Sequence, residues 1–495
     1  MTLTPTDEQS NALALFRFGD NLAVEAGAGT GKTSLLEMIA HATSARGQYV
    51  AFNRAIVTEA ARRMPDNVAA STAHSLAMRA VGNRYRHRLD SARQPGHQVA
   101  KLLDLGPLVV RFGSQSKVLQ PGYLASLVQR AITVFCQTAD EVPGRRHVPY
   151  VEGIDVPNPD GSRTHVNNDV VRDHLLDAIT MAWADLRATD GRLRFRHEHY
   201  LKLWQLSHPV LPVDFVLFDE AQDASPVMLD VVARQTHAQL VFVGDSQQQI
   251  YAFTGAVNAL AKVPASQRAM LTQSFRFGPA IANAANHVLR EIGADMRLRG
   301  HPPVASSLAE LENPSCVLTR TNATAVDTVL ARQRRGQRVH LVGGGSEVVA
   351  FAKAAQQLMA GDTTWHPELA CFTSWGEVQE YVEQDPQGSE LALLVRLVDE
   401  YGVDTIMRAL NVMVPEEVAD VVVSTAHKAK GREWPTVQLA DDFPDPRDSF
   451  AAMLEPDWSV AELRLIYVAV TRAREVLDVT RCGVFEQTVP VKVQD

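Results

Sequence analysis

Cysteine is scarce, base is not in excess, and long apolar runs are missing. The 495 residues include 4 cysteines. Cys136, Cys316, Cys371 and Cys482 lie far apart, with no C-x-x-C spacing, which argues against a zinc or iron–sulfur site and for a reducing compartment without disulfides. Acidic residues outnumber basic ones, 57 to 48, giving a formal net charge of −9. A generally basic coat is therefore excluded, and any nucleic-acid binding has to come from local grooves. No uninterrupted apolar run approaches the roughly 20 residues a membrane helix needs, and the N-terminus lacks a charged-then-apolar signal. A cytoplasmic protein with no membrane partner is expected. The hydrophobic share of 46% is ordinary for globular protein, and the length suggests about three or four folding units.

What is present begins with Ala26-Gly27-Ala28-Gly29-Thr30-Gly31-Lys32-Thr33, a glycine-rich turn between the apolar run Leu22 to Val24 and a helical stretch from Ser34 to Ala40. This is a P-loop pattern with Ala26 in place of the first glycine. Glycines let backbone N–H groups close around a phosphate, and Lys32 neutralises the β- and γ-phosphates. The Thr33 hydroxyl holds Mg²⁺ at a helix N-terminus already biased toward anions. ATP and Mg²⁺ are the expected cofactors, with Ala26 through Ser34 as nucleotide-binding residues. Upstream, Thr6 or Asp7 caps a helix. Gln9 on it either reads the N6 and N7 edge of adenine, as an amide can, or is a solvated helix side chain.

Downstream, an apolar strand from Val213 to Phe218 runs into Asp219-Glu220-Ala221-Gln222-Asp223. ATP hydrolysis needs such a pair opposite a P-loop: Asp219 for Mg²⁺, Glu220 to orient and deprotonate water. A further strand, Leu240 to Val243, ends in Gly244-Asp245-Ser246-Gln247-Gln248-Gln249-Ile250-Tyr251-Ala252-Phe253. Earlier, Tyr49 to Phe52 reads as a strand ending in Asn53-Arg54, and Thr72 and His74 follow the next apolar segment. Polar residues at the ends of parallel strands line the ligand crevice of such folds, although residues such as Thr72 and His74, taken alone, are more often ordinary loop residues than ligands.

Between about Met78 and Leu203 helical stretches alternate with polar loops and no βαβ rhythm appears, so this segment reads as an insertion. It carries Arg79, Arg84, Arg86, His87, Arg88 and Arg93 early. Later, Arg192, Arg194, Phe195, Arg196, His197, His199, Tyr200, Lys202 and Trp204 interleave bases with rings. Such mixtures suit a nucleic-acid backbone track with stacking rings, or else a solvated helix face. Pro157 to Gly161 is a turn or loop.

Taken together these stretches resemble superfamily 1A helicases of the UvrD/Rep/PcrA type. The resemblance rests on Asp219-Glu220-Ala221-Gln222-Asp223, on Gly244-Asp245-x-x-Gln248-x-Ile250-Tyr251, on Gln273-Ser274-Phe275-Arg276 and on Thr319-Arg320-Thr321-Asn322. Ser424 through Trp434 and Tyr467-Val468-Ala469-Val470-Thr471-Arg472-Ala473 complete it. His199 to Trp204, Ser274 to Gly278 and Ala426 to Gly431 look like the helicase core of the F-box DNA helicases. The resemblance implies an α/β fold of two RecA-like P-loop domains, parallel sheets flanked by helices, each with a mainly helical insertion. The expected boundaries are 1–77 and 205–262 for domain 1A, 78–204 for insertion 1B, 263–345 and 419–495 for domain 2A, and 346–418 for a reduced insertion 2B.

It also implies site roles. Arg276 and Arg472 act as arginine fingers and Gln248 senses the γ-phosphate. Phe275 stacks on adenine, Glu433 meets the ribose, and Gly431 belongs to the nucleotide-binding set. A DNA track runs along Phe52, Asn53, Thr72, His74, Phe253, Thr425 and His427. Phe253-Thr254-Gly255-Ala256 departs from the family's aromatic-Arg-Gly-Ala, which removes one arginine contact. The implied activity is ATP-driven 3′-to-5′ movement on single-stranded DNA and at single-strand to duplex junctions, coupled to strand separation or protein displacement, by a monomer or weak dimer. The alternative is a remodelling or nuclease-loading factor with little intrinsic unwinding and a nuclease or recombinase partner. The small second insertion, the lost arginine and the lack of an obvious hairpin after Arg474 favour movement over unwinding. A P-loop kinase or transporter ATPase accounts for the first motif and none of the arginines.

Overall fold

A computed structural model describes residues 4–485 except 52–53, 90, 93, 113–114, 152, 155, 158–162, 251–259, 261–262, 264, 371, 384–389 and 446–455. The chain divides into two compact units, one of Met1–Val24, Thr33–Gly244 and Tyr251–Ala269, the other of Glu25–Lys32, Asp245–Ile250 and Met270–Asp495.

The first unit is built on strands β1 (Leu22–Ala26), β2 (Gly47–Ala51) and β3 (Val68–Thr72). After two antiparallel hairpins, β4 (Leu108–Phe112) with β5 (Gln115–Leu119) and β6 (Val156–Pro157) with β7 (Arg163–Thr164), come β8 (Phe215–Phe218), β9 (Gln239–Gly244) and β10 (Gln267–Leu271). The sheet order is β10-β1-β9-β8-β2-β3. β2 pairs in parallel with β3 and β8, and β8 in parallel with β9. Every residue of β2 and β8 is buried, as expected where helices cover both faces of a parallel sheet. The strands anticipated from the apolar runs are all present, and each ends within a residue or two of the polar cluster that marks it.

The segment after β3 is mainly helical, with Pro121–Gln137, Val166–His174, Leu176–Arg187 and His197–Leu206 as its longer helices. Its interior corrects one sequence expectation. The rings of the basic-aromatic stretch are core: Phe195 stacks on Tyr85 with centroids 4.5 Å apart, and Tyr200 and Trp204 are buried. Lys202 is fully buried as well. Its ammonium sits 4.5 Å from the Phe135 centroid and donates to the carbonyl of Thr138 at 2.9 Å, to Gln205 Oε1 at 2.8 Å and to the Asp140 carbonyl. Burial pulls its pKa down to about 8. A lysine so enclosed needs every donor occupied, so neither a stacking track nor a solvated face describes this stretch. Arg88, from the early cluster, is likewise buried, bonded to the Leu193 carbonyl at 2.7 Å and to Asp185. Arg192 and Arg196 remain exposed.

The second unit carries β11 (Ser307–Leu308), β12 (Cys316–Thr319), β13 (Val339–Leu341), β14 (Val421–Thr425), β15 (Trp434–Leu439) and β16 (Ala473–Asp478), in the order β11-β16-β15-β12-β14-β13. Each neighbouring pair is parallel. With two parallel sheets flanked by helices, the architecture is that of two RecA-like cores. Between β13 and β14 stand the helices Ser346–Met359, Trp375–Glu383, Glu390–Tyr401 and Val403–Asn411. Among the described residues, their buried side chains join the core of the neighbouring sheet. Phe351, Ala355, Trp375, Val395 and Ile406 from these helices share one buried cluster with Val339 and Leu341 of β13, Val421 and Val423 of β14, and Val326 and Val329 of the preceding helix.

A shared core has a measurable consequence. Phe351→Ala should cost about 3 to 5 kcal/mol, as large-to-small core changes of aromatic residues do. Amide hydrogen exchange should then accelerate in strand Val421–Thr425 together with helix Ser346–Met359. Loss of protection confined to the helix would show that the two cores are separate.

Candidate nucleotide site

β1 delivers the chain into the glycine turn, and helix Lys32–His41 carries it away. Gly29 and Gly31 have φ of 73° and 80°, the left-handed region that side chains with a Cβ rarely adopt. At Gly29 space is short too, since a Cβ would stand 2.7 Å from both Arg276 Cβ and Ser274 Oγ. Three successive carbonyls of the loop are occupied. Thr30 Oγ1 donates to Gly27 O at 2.8 Å, Ser274 Oγ to Ala28 O at 2.8 Å, and the Phe275 N–H to Gly29 O at 2.8 Å. In a trans peptide the N–H points opposite its C=O, so holding these carbonyls orients the amides that follow. The first of them, Ala28 N–H, donates to the Tyr467 hydroxyl at 3.3 Å.

Tyr467 in turn donates to Asp245 Oδ2 at 3.0 Å, and Gln248 Nε2 donates to the same oxygen at 2.7 Å. Asp245 is completely buried, and burial raises its pKa against the pull of Lys32 and these donors. Glu25, the one acidic residue of β1, accepts the Ser246 N–H and Oγ–H, each at 2.7 Å. Burial, then the Asp245 charge, push its pKa up to about 6, with Lys32 pulling the other way. Two carboxylates and one lysine thus form a small charged cluster behind the loop.

Gln248 also connects outward, because Arg472 Nη2 lies 3.4 Å from its Oε1. Arg472 is buried and fully engaged, with Nε on the Val468 carbonyl at 2.9 Å and Nη2 on Thr471 Oγ1 at 2.9 Å. Lys430 donates to the Gln248 carbonyl. Arg276 lies beside Gly29 and donates Nε to Glu433 Oε2 at 2.6 Å and Nη1 to the Thr471 carbonyl at 3.1 Å. Phe275 is 44% exposed, with its ring 5.3 Å from that of His301. Gly431 turns the chain with φ 81°.

In the first unit, Asp219 is buried at the end of β8. Its Oδ2 accepts the Tyr49 hydroxyl at 2.6 Å and its Oδ1 the Glu220 N–H at 2.8 Å. Burial and that carboxylate hold the Tyr49 phenol well above its usual pKa. Glu220 itself has φ 51° and ψ 45°, a conformation that costs a residue with a Cβ roughly 1 to 3 kcal/mol and that clusters at functional sites. Gln222 donates to its carboxylate. Thr6 is the cap of helix Asp7–Arg17, in a capping box with Gln9: the Gln9 N–H reaches Thr6 Oγ1 at 3.1 Å and Gln9 Oε1 accepts from Thr6 N at 3.0 Å. Gln9 is buried, so it is not a solvated helix side chain.

Of the seven DNA-track residues, Phe52, Asn53 and Phe253 lie outside the described residues. Thr72 is the N-cap of helix Ala73–Ala80 and accepts from Ser75 N at 3.1 Å. His74 meets Tyr200 edge to face at 6.1 Å, and burial lowers its pKa. Thr425 is buried at the end of β14 and accepts from Lys428 N at 3.3 Å. His427 is lowered by burial and bonds the Ile250 backbone. Sequence reasoning missed Glu25, Tyr467 as a loop support, and Arg474, whose Nε is buried without a hydrogen-bond partner. Glu25 had a visible signal, a lone acid inside the apolar run Leu22 to Ala26. Tyr467 had none.

Two parallel-sheet cores, a glycine loop held by its carbonyls, and an arginine relayed through Gln248 to a buried carboxylate define a P-loop protein of the RecA-like class. An AAA domain profile matches residues 9–254, and one for the UvrD-like helicase C-terminal domain matches 420–479. The chain belongs to the UvrD-like superfamily 1A helicases. It is 29% identical to F-box DNA helicase protein 1 of Schizosaccharomyces pombe, across 92% of this chain and 55% of that protein. It is 30% identical to F-box DNA helicase 1 of Gallus gallus, across 93% and 47%. UvrD2, an ATP-dependent DNA helicase of Mycobacterium bovis, is 26% identical across 52% and 45%. The chain thus spans about half the length of the curated relatives it matches. A solved complex of an arterivirus helicase, nonstructural protein 10, with DNA aligns with 95% of this chain and 62% of its own at 13% identity and a TM-score of 0.31. Among the described residues no helix is long and apolar enough to cross a membrane.

The Glu25 cluster predicts a pH signature. Between its ordinary pKa of 4.5 and about 6, the folded protein holds a proton that the unfolded chain has lost. Stability contributed by this group therefore falls as pH rises through that window and stays low above it. Glu25→Gln keeps an acceptor for Ser246 and removes the charge. The variant should gain on the wild type by on the order of 1 kcal/mol from pH 4.5 to 7, read as a widening gap in melting temperature. A gap that is flat or narrows would show that Glu25 is not held against ionisation.

Proposed function

We propose that the chain is a DNA-dependent ATPase that moves 3′-to-5′ on single-stranded DNA and couples hydrolysis to strand separation or protein displacement. The observation that carries the reading is the buried relay from Asp245 through Gln248 to Arg472. It joins a carboxylate near Lys32 to an arginine through an amide that can reorient when a phosphate charge arrives. The DNA helicase names of the relatives support the nucleic-acid substrate. Domain boundaries at 1–77 and 205–262, 78–204, 263–345 and 419–495, and 346–418 belong to the same reading.

Lys32 and the loop amides hold phosphate, and Gln9 and Phe275 hold adenine. Glu220 orients and deprotonates the attacking water. Mg²⁺ fits the donor set of Thr33 and Asp219, a hydroxyl and a carboxylate kept in place by Tyr49 and the Glu220 amide, and when bound it neutralises phosphate charge. Arg276 and Arg472 stabilise charge on the transferred phosphoryl group, for which a planar and permanently charged guanidinium is suited. Thr72, His74, Thr425 and His427, with Phe52, Asn53 and Phe253, line the strand.

A second reading, movement with little unwinding, is favoured by the core that helices 346–411 share with β13 and β14. Helices packed into the sheet's own core are poorly placed to act as a separate arm on a duplex.

Glu220→Gln should leave ATP binding intact and slow DNA-stimulated hydrolysis by about 10² to 10⁴-fold, the usual worth of general-base assistance. Arg276→Ala should slow it by roughly 10³-fold or more. Both effects are read in a steady-state ATPase assay with single-stranded DNA, and near-normal turnover in either variant would overturn its role. Streptavidin displacement from either strand end, run beside strand displacement on tailed duplexes, tests direction and separates the two readings. Clearing of the 5′-end block without duplex opening is the outcome expected of a translocase.

A further inference from the structure

Glu433 stands between two arginines. Its Oε2 accepts Arg276 Nε at 2.6 Å, and its Oε1 lies 3.8 Å from Arg474 Nη1. Arg276 is in turn pressed against the P-loop, where a Cβ on Gly29 would stand 2.7 Å from Arg276 Cβ, while the preceding residue's N–H bonds Gly29 O at 2.8 Å. The Arg276 side chain is 17% exposed and that of Glu433 41% exposed, so the ion pair is open to solvent on the carboxylate side. Arg474 is held loosely by comparison: its contact to Glu433 is long, and its Nε is buried without a hydrogen-bond partner.

Carboxylate and phosphate oxygens compete for the same guanidinium donors. We propose that Glu433 is a stand-in anion for phosphate: it parks the Arg276 guanidinium beside the P-loop and has to be displaced from it when a triphosphate binds. Arg474 acts through Glu433, drawing the carboxylate away from Arg276, and does not itself touch nucleotide. Both are positioning residues. The inference rests on the nucleotide reading above and adds to it a competition built into the chain.

The charge balance gives the direction of each effect. Glu433→Gln keeps an oxygen that can accept from Arg276 Nε but removes the negative charge that opposes phosphate. Arg474→Gln removes the competing cation, leaving Glu433 bound to Arg276 more firmly. The two substitutions should therefore act in opposite directions on phosphate affinity, which loss of structure would not produce.

The test is calorimetric titration of the full chain with inorganic tripolyphosphate, which has no ribose or base, and in parallel with ATP. Wild type should bind both. Glu433→Gln should bind tripolyphosphate about 3- to 10-fold tighter, the range expected from removing one like charge at a partly solvated site. It should gain less with ATP, where any ribose contact is weakened at the same time. Arg474→Gln should bind tripolyphosphate more weakly by a similar factor, and that loss should vanish when it is combined with Glu433→Gln. If Glu433→Gln does not fold, as judged by its melting curve, Glu433→Asp serves, because a carboxylate drawn back by one methylene should also release Arg276 and tighten tripolyphosphate binding. Unchanged or weaker tripolyphosphate binding in the Glu433 variant overturns the proposal, as does an Arg474 effect that persists in the double variant. Failure of the wild type to bind either ligand would overturn the nucleotide reading and this inference together; wild-type binding with unmoved variants overturns only this inference.

Discussion

Asp245 is a carboxylate with no exposure to water, and the second unit is organised around making that tolerable. A buried, ionised side chain is destabilising by several kcal/mol unless charge and hydrogen bonds surround it. Here Lys32 supplies the charge, and Gln248 and Tyr467 supply donors. Each of those partners comes from a different stretch of sequence, so satisfying one carboxylate gathers the glycine loop, the 245–250 segment and the helix ending at Val470. Arg472 then enters through Gln248, and the Tyr467 hydroxyl touches the loop backbone at Ala28. The same arrangement that keeps the core electrically balanced therefore also reaches the backbone of the glycine loop.

Much of this was legible beforehand because the relevant signals are local. Apolar runs ending in polar clusters gave the strands, since a strand buried on both faces of a parallel sheet has to be continuously apolar and its ligand-facing end cannot be. The glycine pattern located the loop because left-handed backbone at Gly29 and Gly31 leaves little choice of residue. What stayed hidden depends on distant partners. Nothing near Tyr467 in sequence says that its hydroxyl will meet Ala28, and Arg474 reads as one more base in a strand. The hairpins in the first insertion were equally invisible, as their apolar content is modest and their strands are short.

The basic-aromatic stretch from Arg192 to Trp204 is the instructive misreading. Composition alone cannot separate rings that stack on bases from rings that fill a core, because both need large flat apolar surface. The deciding information was distant in sequence: Tyr85 stacks on Phe195, His74 meets Tyr200 edge to face, and the Phe135 ring lies under the Lys202 ammonium. A buried lysine in the middle, held by two carbonyls and an amide, reverses the usual assumption that lysine marks surface. Long aliphatic stems let such a residue belong to a core provided its head group finds acceptors.

Neither unit is a continuous stretch of chain, which passes from one to the other at 24/25, 32/33, 244/245, 250/251 and 269/270. During synthesis the ribosome releases the eight residues from Glu25 to Lys32 long before their partners at Ser246, Ser274, Phe275 and Tyr467. The second sheet begins only at Ser307 and is not complete until Asp478. That places the slowest events of folding late, since contacts across hundreds of residues close slowly. Cutting the gene at a boundary such as Met270 would therefore not yield a self-sufficient half: the C-terminal piece would lack the loop that Ser274 and Phe275 are built to hold, and the N-terminal piece would end with that loop's carbonyls unmet. For this chain the nucleotide loop is as much a folding seam as a binding element.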